Sequence, residues 1–262
     1  MLLAIDVGNT NVVFAVFEKE RIVGQWRIST DPKRTADEYG VWLTQVMEHA
    51  KLKPSQVKAA VVASVVPQSL FDLRMLAKRY FNTELLVIGD PRLAINTGMT
   101  LKIDNPRELG ADRLVNAFAA WKKYQQALIV VDFGTATTFD IVSDKGEYLG
   151  GVISPGVNLS LDALQRAAAK LPNIGIQRPD RVIGTNTTSA MQSGIFYGYI
   201  GLIEGIAERI KAEYAAPMKV IATGGLASLY AKSCALIEQV EPDLTIYGLH
   251  DLYHMNKHLI IV

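Results

Sequence analysis

Two stretches, Asp6-Val7-Gly8-Asn9-Thr10-Asn11 and Asp132-Phe133-Gly134-Thr135-Ala136-Thr137-Thr138, decide how this chain is interpreted. Each follows an apolar run and precedes another, so each predicts a strand, an Asp-x-Gly turn containing threonine, and a second strand. Two such hairpins facing each other can hold a nucleotide phosphate chain, because carboxylates address its metal while Gly and Thr donors bind its oxygens. The repeat therefore indicates a phosphotransferase.

The composition of the 262-residue chain fits one large domain or two of about 130 residues. Lys+Arg 27 against Asp+Glu 26 leaves a net charge of +1 without a basic tract, so we expect neither nucleic acid nor a membrane as partner. A single cysteine, Cys234, excludes an internal disulfide and suits a reducing cytosol. Without a recognisable signal peptide or membrane-length apolar run, the protein is expected to be soluble and cytoplasmic.

The first half of the chain is predicted to follow the order βββαβαβ. Thr35 or Asp37 is a plausible cap for its first helix. The predicted strands are Leu2–Asp6, Val12–Phe17, Ile22–Ile28, Ala59–Val65 and Leu85–Ile88, and the predicted helices run from about Ala36 to Ala50 and from Pro67 to about Tyr80.

The second half restarts this order, which predicts an α/β fold of two ribonuclease-H-like (actin-like) domains, each a mixed sheet flanked by helices. We place these domains at residues 1–115 and 116–262, with the boundary inside a helix, and expect a long irregular loop over Leu171–Asn186. The predicted strands are Leu128–Asp132, Thr138–Ser143, Tyr148–Ile153 and Val220–Ala222; the helices are Leu159–Ala169, Ser189–Tyr214 and two more near the chain end.

The segment Gly110-Ala111-Asp112-Arg113 places a carboxylate beside a guanidinium at a predicted helix start. In one interpretation Asp112 only stabilises the N-terminus of that helix. In the other, Arg113 binds a substrate carboxylate and Asp112 accepts a hydroxyl proton during phosphoryl transfer. Local sequence alone leaves both open.

Three further patterns also have two interpretations. Thr223-Gly224-Gly225 follows an apolar strand and suits either close approach to adenine or ribose, or a tight turn without a ligand. His250, His254 and His258 share one helix face, which we expect to be a surface face rather than a metal site. The glycines at 194, 198, 201 and 205 lower helix stability and indicate close packing, inside the protein or across a dimer.

Four motifs, in their order and approximate spacing, resemble those of type III pantothenate kinases, members of the acetate kinase, sugar kinase, heat-shock chaperone and actin superfamily. They are Asp6–Asn11, Gly110–Arg113, Asp132–Thr138 and Thr223–Gly225. The resemblance covers essentially the whole chain. Asp-x-Gly-x-Thr alone would identify only the superfamily, whereas Gly-Ala-Asp-Arg together with Asp-x-Gly-Thr-Ala-Thr-Thr is specific. Further matches are Gly150-Gly151-x-Ile153-x-Pro155-Gly156 and Asn186-Thr187 ahead of Ser189 to Gly194.

The resemblance implies ATP-dependent phosphorylation of pantothenate, the first committed step toward coenzyme A, by a homodimer. By position, Asp6, Val7, Gly8, Asn9, Thr10, Asn11, Val12 and Val13 would line the ATP phosphates, with Asp6 near Mg²⁺, and Thr135 would contact ATP. Asp132 would ligate a monovalent cation, K⁺ or NH₄⁺. Gly110, Ala111, Asp112, Arg113 and Thr187 would hold pantothenate, with Asp112 as the catalytic proton acceptor.

One position departs from the family pattern. Several relatives carry a tyrosine seven residues before the Gly of Gly-Ala-Asp-Arg, and Ile103 stands there in this chain. Isoleucine keeps the apolar contact and loses the phenol hydroxyl, which concerns substrate affinity more than the reaction. The alternatives are a kinase of another small hydroxylated substrate, such as a sugar, and a nucleotide-binding accessory or regulatory protein without turnover.

Overall fold

The computed structural model describes residues 1–90, 92–93, 95–167 and 171–260. The chain divides into two compact units, each with its own sheet. The first unit comprises Met1–Met99, Asn105–Ala119 and Leu244–Val262, and the second comprises Thr100–Asp104 and Ala120–Asp243.

The sheet of the first unit has five strands in the order β3-β2-β1-β4-β5. Its strands are apolar on both faces, as expected for a sheet covered by helices on both sides. The first three strands form an antiparallel meander, and the last two run parallel to β1. The strands are β1 (Leu2–Val7), β2 (Asn11–Glu18), β3 (Arg21–Ser29), β4 (Ala59–Ser64) and β5 (Leu85–Val87).

Four helices cover the two faces of this sheet. Helices α1 (Ala36–His49) and α2 (Leu70–Phe81) pack on one face, while the first part of α3 (Ala111–Tyr124) and α7 (Leu244–Asn256) pack on the other. Thr35 caps α1 through a capping box with Glu38, whose carboxylate accepts the Thr35 backbone N–H at 2.8 Å.

The sheet of the second unit has six strands in the order β11-β10-β7-β8-β9-β6. Helices α4 (Val157–Ala167), α5 (Thr187–Tyr214) and α6 (Ala227–Ala231) lie in this unit. The strands are β6 (Thr100–Leu101), β7 (Leu128–Phe133), β8 (Ala136–Val142), β9 (Glu147–Pro155), β10 (Lys219–Gly224) and β11 (Gln239–Val240).

The two sheets repeat one plan down to single residues. β1 and β7 each have six residues, the same burial pattern, and their aspartate in the fifth position. Asp6 pairs with Val13 and Asp132 with Thr138, and in both sheets a bulge follows three residues beyond that partner. The segment between the aspartate and its partner is one residue shorter in the second hairpin, and the missing residue is in the tip.

The structure confirms the predicted order of strands and helices in both halves, with end points shifted by one to a few residues. The predicted irregular segment 171–186 contains neither helix nor strand. The predicted helix Leu159–Ala169 is observed as α4, and its last two predicted residues lie outside the described part. β6 and β11, of two residues each, were not predicted.

The C-terminal helix α7 belongs to the first unit, although the sequence placed residues 116–262 together in a second domain. The chain passes from the first unit to the second within α3, after Ala119. Among the residues that the structure describes, no helix is long and apolar enough to cross a membrane.

The prediction that His250 lies on an exposed face of α7 is wrong. Only 6% of this residue is exposed, and its Nε2 lies 2.8 Å from the carbonyl oxygen of Lys19 in the β2–β3 turn. Its ring lies 4.6 Å from that of Phe17. His254, one turn further, is exposed, so the face is divided between core and surface.

Candidate functional site

The Asp6 turn closes the β1–β2 hairpin of the first unit. The Gly8 N–H donates to the Asn11 carbonyl at 3.0 Å, and Thr30, directly after β3, holds the turn because its hydroxyl donates to the Gly8 carbonyl at 2.6 Å. Residues 9–11 are exposed. The flanking strands place Val13 and Ala63 directly opposite Asp6, so its cross-strand neighbours on both sides are apolar.

The first turn of α3 carries Gly110, Asp112 and Arg113. The Asp112 Oδ1 atom accepts the Arg113 backbone N–H at 2.7 Å, and a Cβ on Gly110 would lie only 2.6 Å from the same oxygen. Glycine is therefore what allows the carboxylate to fold back over the helix start. Burial raises the pKa of Asp112, and the backbone hydrogen bond and charge of Arg113 oppose that rise without cancelling it.

Val65 lies next to both the end of β1 and Gly110. Its backbone N–H donates to the carbonyl of Val7 at 3.0 Å, and its Cγ1 lies 3.7 Å from where a Cβ on Gly110 would stand. The end of β1 and Gly110, which precedes α3, thus adjoin the same residue. Sequence reasoning did not select Val65, because an apolar residue after a strand carries no signal of this contact.

A salt-bridged loop borders the same helix start. Gly89, with φ +84°, would place a Cβ 3.8 Å from that of Ala111. The next residue, Asp90, has a nearly buried carboxylate that binds Arg74 at 2.8 Å and Arg92 at 2.7 Å. These hydrogen bonds and charges, chiefly those of Arg92, hold the pKa of Asp90 well below its usual range.

The Asp132 turn closes the β7–β8 hairpin of the second unit. The Gly134 N–H donates to the Ala136 carbonyl at 3.0 Å, and the Gly156 N–H donates to the Thr135 carbonyl at 3.1 Å. A Cβ on Gly156 would overlap that Thr135 oxygen, so glycine is required after β9. Thr135 itself is exposed at the tip, where a ligand can reach it.

Gly224 packs against the Asp132 carboxylate at the end of β10. Its φ is +88°, and a Cβ there would lie 2.5 Å from Asp132 Oδ1 and 2.7 Å from the backbone N and O of Phe133. Close backbone packing therefore accounts for Gly224 without a ligand, which favours the tight-turn interpretation of this residue. Gly225 is exposed, and no described atom lies within 4 Å of the point that a Cβ would occupy.

Hydroxyl groups flank Asp132 on both neighbouring strands. Thr138 on β8 and Thr223 on β10 lie directly opposite it, whereas Val13 and Ala63 lie opposite Asp6. No group of three or more His, Cys, Asp or Glu within the described ranges could hold a metal by itself. A cation at Asp132 would therefore need neutral oxygen ligands, and its surroundings supply them.

Thr187 is the first residue of α5 and is exposed. The side chain of Asn186 caps the helix by accepting the Ser189 N–H at 2.9 Å. A cavity of about 360 Å³ lies beside this helix start, and Arg178 and Arg181 are among its lining residues. The volume suits a small molecule, and the two guanidinium groups suit an anionic one.

Two further predicted features have defined surroundings. Ile103 follows β6, with its Cγ2 3.8 Å from the Cβ position of Gly150. Gly194, Gly198 and Gly201 lie exposed on α5 with no described atom within 4 Å of a Cβ. Close packing inside the described chain therefore does not explain these glycines.

The amino-acid sequence matches the family model described as type III pantothenate kinase over residues 2–209. A type III pantothenate kinase of Paramagnetospirillum magneticum is 55% identical over 257 residues, which cover 98% of each chain. One of Caulobacter vibrioides is 54% identical over 258 residues, again 98% of each chain.

Solved structures share the fold at low sequence identity. A conserved putative Baf family transcriptional activator from Campylobacter jejuni superposes with a TM-score of 0.60 at 20% identity, over 98% of this chain and 100% of that one. A putative 2-dehydro-3-deoxygalactonokinase from Sinorhizobium meliloti gives 0.59 at 13% identity, over 97% and 96%. The fold is that of two ribonuclease-H-like domains. Because residues 2–209, most of the chain, match the family model, the chain belongs to the type III pantothenate kinases.

Proposed function

We propose that this protein transfers the γ-phosphoryl group of ATP to the primary hydroxyl of pantothenate, giving 4′-phosphopantothenate and ADP at the start of coenzyme A synthesis. The observation that carries the proposal is the Asp112 carboxylate, half-buried and folded over the start of α3 beside Arg113, where Gly110 adjoins Val65 and so the end of β1. The family supplies the identity of the substrates.

The phosphates of ATP would lie along residues 6–13. The exposed turn contains backbone N–H groups at Asn9 and Thr10 and a threonine hydroxyl, which are the kinds of group that bind phosphate oxygens. Asp6 would act on Mg²⁺ that the phosphates already hold, because its cross-strand neighbours provide no further side-chain oxygen. Mg²⁺ would neutralise charge on the phosphate oxygens. Thr135, exposed at the other tip, would contact ATP.

Pantothenate would bind at the first turn of α3. Arg113 would pair with its carboxylate, since a guanidinium fork matches a carboxylate in two hydrogen bonds. Asp112 would take the proton of the primary hydroxyl as its oxygen bonds to the γ-phosphorus and the bond to ADP breaks. A carboxyl pKa raised by burial makes Asp112 a stronger base than an exposed aspartate. Thr187 would complete the pantothenate pocket.

The remaining parts of the proposal concern assembly. Asp132 would hold K⁺ or NH₄⁺, and the adjacent threonine hydroxyls are suitable neutral ligands. The active unit would be a cytoplasmic homodimer, with α5 at its interface, because the exposed glycines of α5 leave room for a second helix to approach. The first unit would contribute the Asp6 turn and the second unit the Asp132 turn.

The test is mass spectrometry of product from purified protein, ATP, Mg²⁺ and K⁺ or NH₄⁺. Pantothenate should be phosphorylated, while a panel of sugars and a substrate-free control should give no product above background. Absence of 4′-phosphopantothenate under all these conditions would overturn the assignment. Asp112→Asn should lower kcat with little change in the KM for ATP, and it should remove the acidic limb of the pH profile.

A further inference from the structure

A row of polar side chains crosses three strands of the second sheet beside the proposed cation site. Thr223 on β10, Asp132 on β7 and Thr138 on β8 lie directly opposite one another in register. Residues opposite one another across strands project from the same face, with Cβ atoms about 5 Å apart. The Asp132 carboxylate is thus bordered on both sides by hydroxyl groups.

A fully buried carboxylate stands behind this row. Asp140 lies two residues after Thr138 on β8 and so faces the same side of the sheet, and none of its surface is exposed. Its Oδ1 accepts a hydrogen bond from the Tyr148 hydroxyl at 2.6 Å, and its Oδ2 accepts one from the Thr138 hydroxyl at 3.5 Å. A hydroxyl that donates to Asp140 directs its lone pairs away from it.

We infer that Thr138 and Thr223 are ligands of the monovalent cation together with Asp132, and that Asp140 is the positioning residue that orients Thr138. The inference rests on the proposed cation at Asp132 and names the side chains that complete its site. When bound, the cation offsets the charge of Asp132 next to the ATP phosphates.

The charge of this ligand set explains its preference for a monovalent ion. One carboxylate and two neutral hydroxyl oxygens balance a single positive charge, whereas divalent cations favour several carboxylates. The two halves of the protein differ at the positions that pair with the two aspartates, because Val13 and Ala63 border Asp6. A shared fold thus carries one site with hydroxyl ligands and one without.

Gly224 defines the orientation of the carboxylate in this set. Asp132 Oδ1 lies so close to Gly224 that a Cβ there would stand at 2.5 Å, and it is 3.8 Å from the Cβ position of Gly134. That oxygen therefore points toward the end of β10, where Thr223 precedes Gly224. Thr223 is 3% exposed, so it is largely removed from bulk water.

The test compares Thr138→Val and Thr223→Val with Thr138→Ser and a matched control, Thr137→Val. Thr137 is also buried, but on the opposite face of β8, and its hydroxyl has no hydrogen-bond partner among the described residues. Binding of K⁺ is measured as the rise in Tm of the protein with a non-hydrolysable ATP analogue and Mg²⁺, at constant ionic strength set with NaCl. The K⁺ dependence of kcat is measured in parallel.

Each valine variant should raise the half-saturating K⁺ concentration by about tenfold or more in both measurements, with the KM for pantothenate nearly unchanged. Thr138→Ser and Thr137→Val should stay within about twofold of wild type. Asp140→Asn should resemble Thr138→Val, because an amide NH₂ facing the hydroxyl makes Thr138 accept a hydrogen bond and turns its proton toward the ion.

Two outcomes distinguish this inference from the proposed function. If wild type responds to K⁺ and both valine variants respond at the same concentrations, the threonines are not ligands and the inference fails alone. If the Tm and kcat of wild type are independent of K⁺, the proposed cation site at Asp132 is refuted, and the inference about its ligands is refuted with it. Equal weakening by Thr137→Val would assign the effect to β8 stability and would also overturn the inference.

Discussion

Replacing Gly224 by alanine tests whether the end of β10 positions the Asp132 carboxylate. The substitution adds one methyl group at a residue with φ +88°, 2.5 Å from Asp132 Oδ1 and 2.7 Å from two backbone atoms of Phe133. The carboxylate can rotate away, but the β7 backbone can move only by disturbing the parallel β7–β10 pairing. The variant should therefore lose both stability and the cation.

The magnitude follows from two costs. Holding alanine at positive φ costs about 1–3 kcal/mol, and forcing a methyl group into packed backbone costs about 1–3 kcal/mol more. The free energy of unfolding should fall by about 2–6 kcal/mol. For a chain of this length that corresponds to a Tm lower by roughly 5–15 °C.

Gly225→Ala is the matched control. The neighbouring glycine has no positive φ and no described atom within 4 Å of its Cβ position, so its free energy of unfolding should change by less than about 0.5 kcal/mol. Tm is measured by circular dichroism, and the half-saturating K⁺ concentration by the kinase assay. A Gly224→Ala protein with the Tm and K⁺ response of wild type would refute the reasoning.

Three further changes test other parts of the molecule. Gly110→Ala should displace the Asp112 carboxylate, which would lie 2.6 Å from the new methyl group, and so lower kcat about tenfold or more at nearly unchanged Tm; wild-type kcat in a coupled assay would contradict this. Asp90→Asn should cost about 1–3 kcal/mol of unfolding free energy at pH 7 through its two arginine partners. Because the folded pKa of this carboxyl lies well below its unfolded value, that contribution should be complete above about pH 5 and should be lost progressively as pH falls from about 4 toward the folded pKa, which urea unfolding at several pH values would detect; a pH-independent difference would argue against it. Gly198→Leu should reduce dimerisation and activity together by filling the open space on α5, and light scattering that shows an undiminished, fully active dimer would exclude the proposed interface.

The fold was predictable because its signals are local and repeated. An apolar run that ends in Asp-x-Gly marks both β1 and β7, and the bulk of each domain follows from alternating strands and helices. β6 and β11 were missed because two residues carry no periodicity. Their pairing depends on neighbours brought close by the rest of the sheet.

Contacts between distant residues set the limit of prediction for the site. His250 shares a helix face with exposed His254, and only the packing of α7 against Phe17 and Lys19 shows that it is buried. Gly110 was recognised as part of a motif, yet the reason that glycine is needed there is steric. That reason becomes visible only in the structure, where the Asp112 carboxylate folds back over the helix start. Helical periodicity and spacing contain neither fact.

The hairpin tips offer a rule for redesign of the protein. The two tips differ in length by one residue, while the aspartate, its cross-strand partner and the bulge keep their mutual spacing. Loop grafts at Asn9–Thr10 or at Thr135 should therefore leave every side chain of β2 and β8 on its original face. An insertion between the partner residue and the bulge would instead reverse the faces of the intervening residues, and would expose hydrophobic side chains.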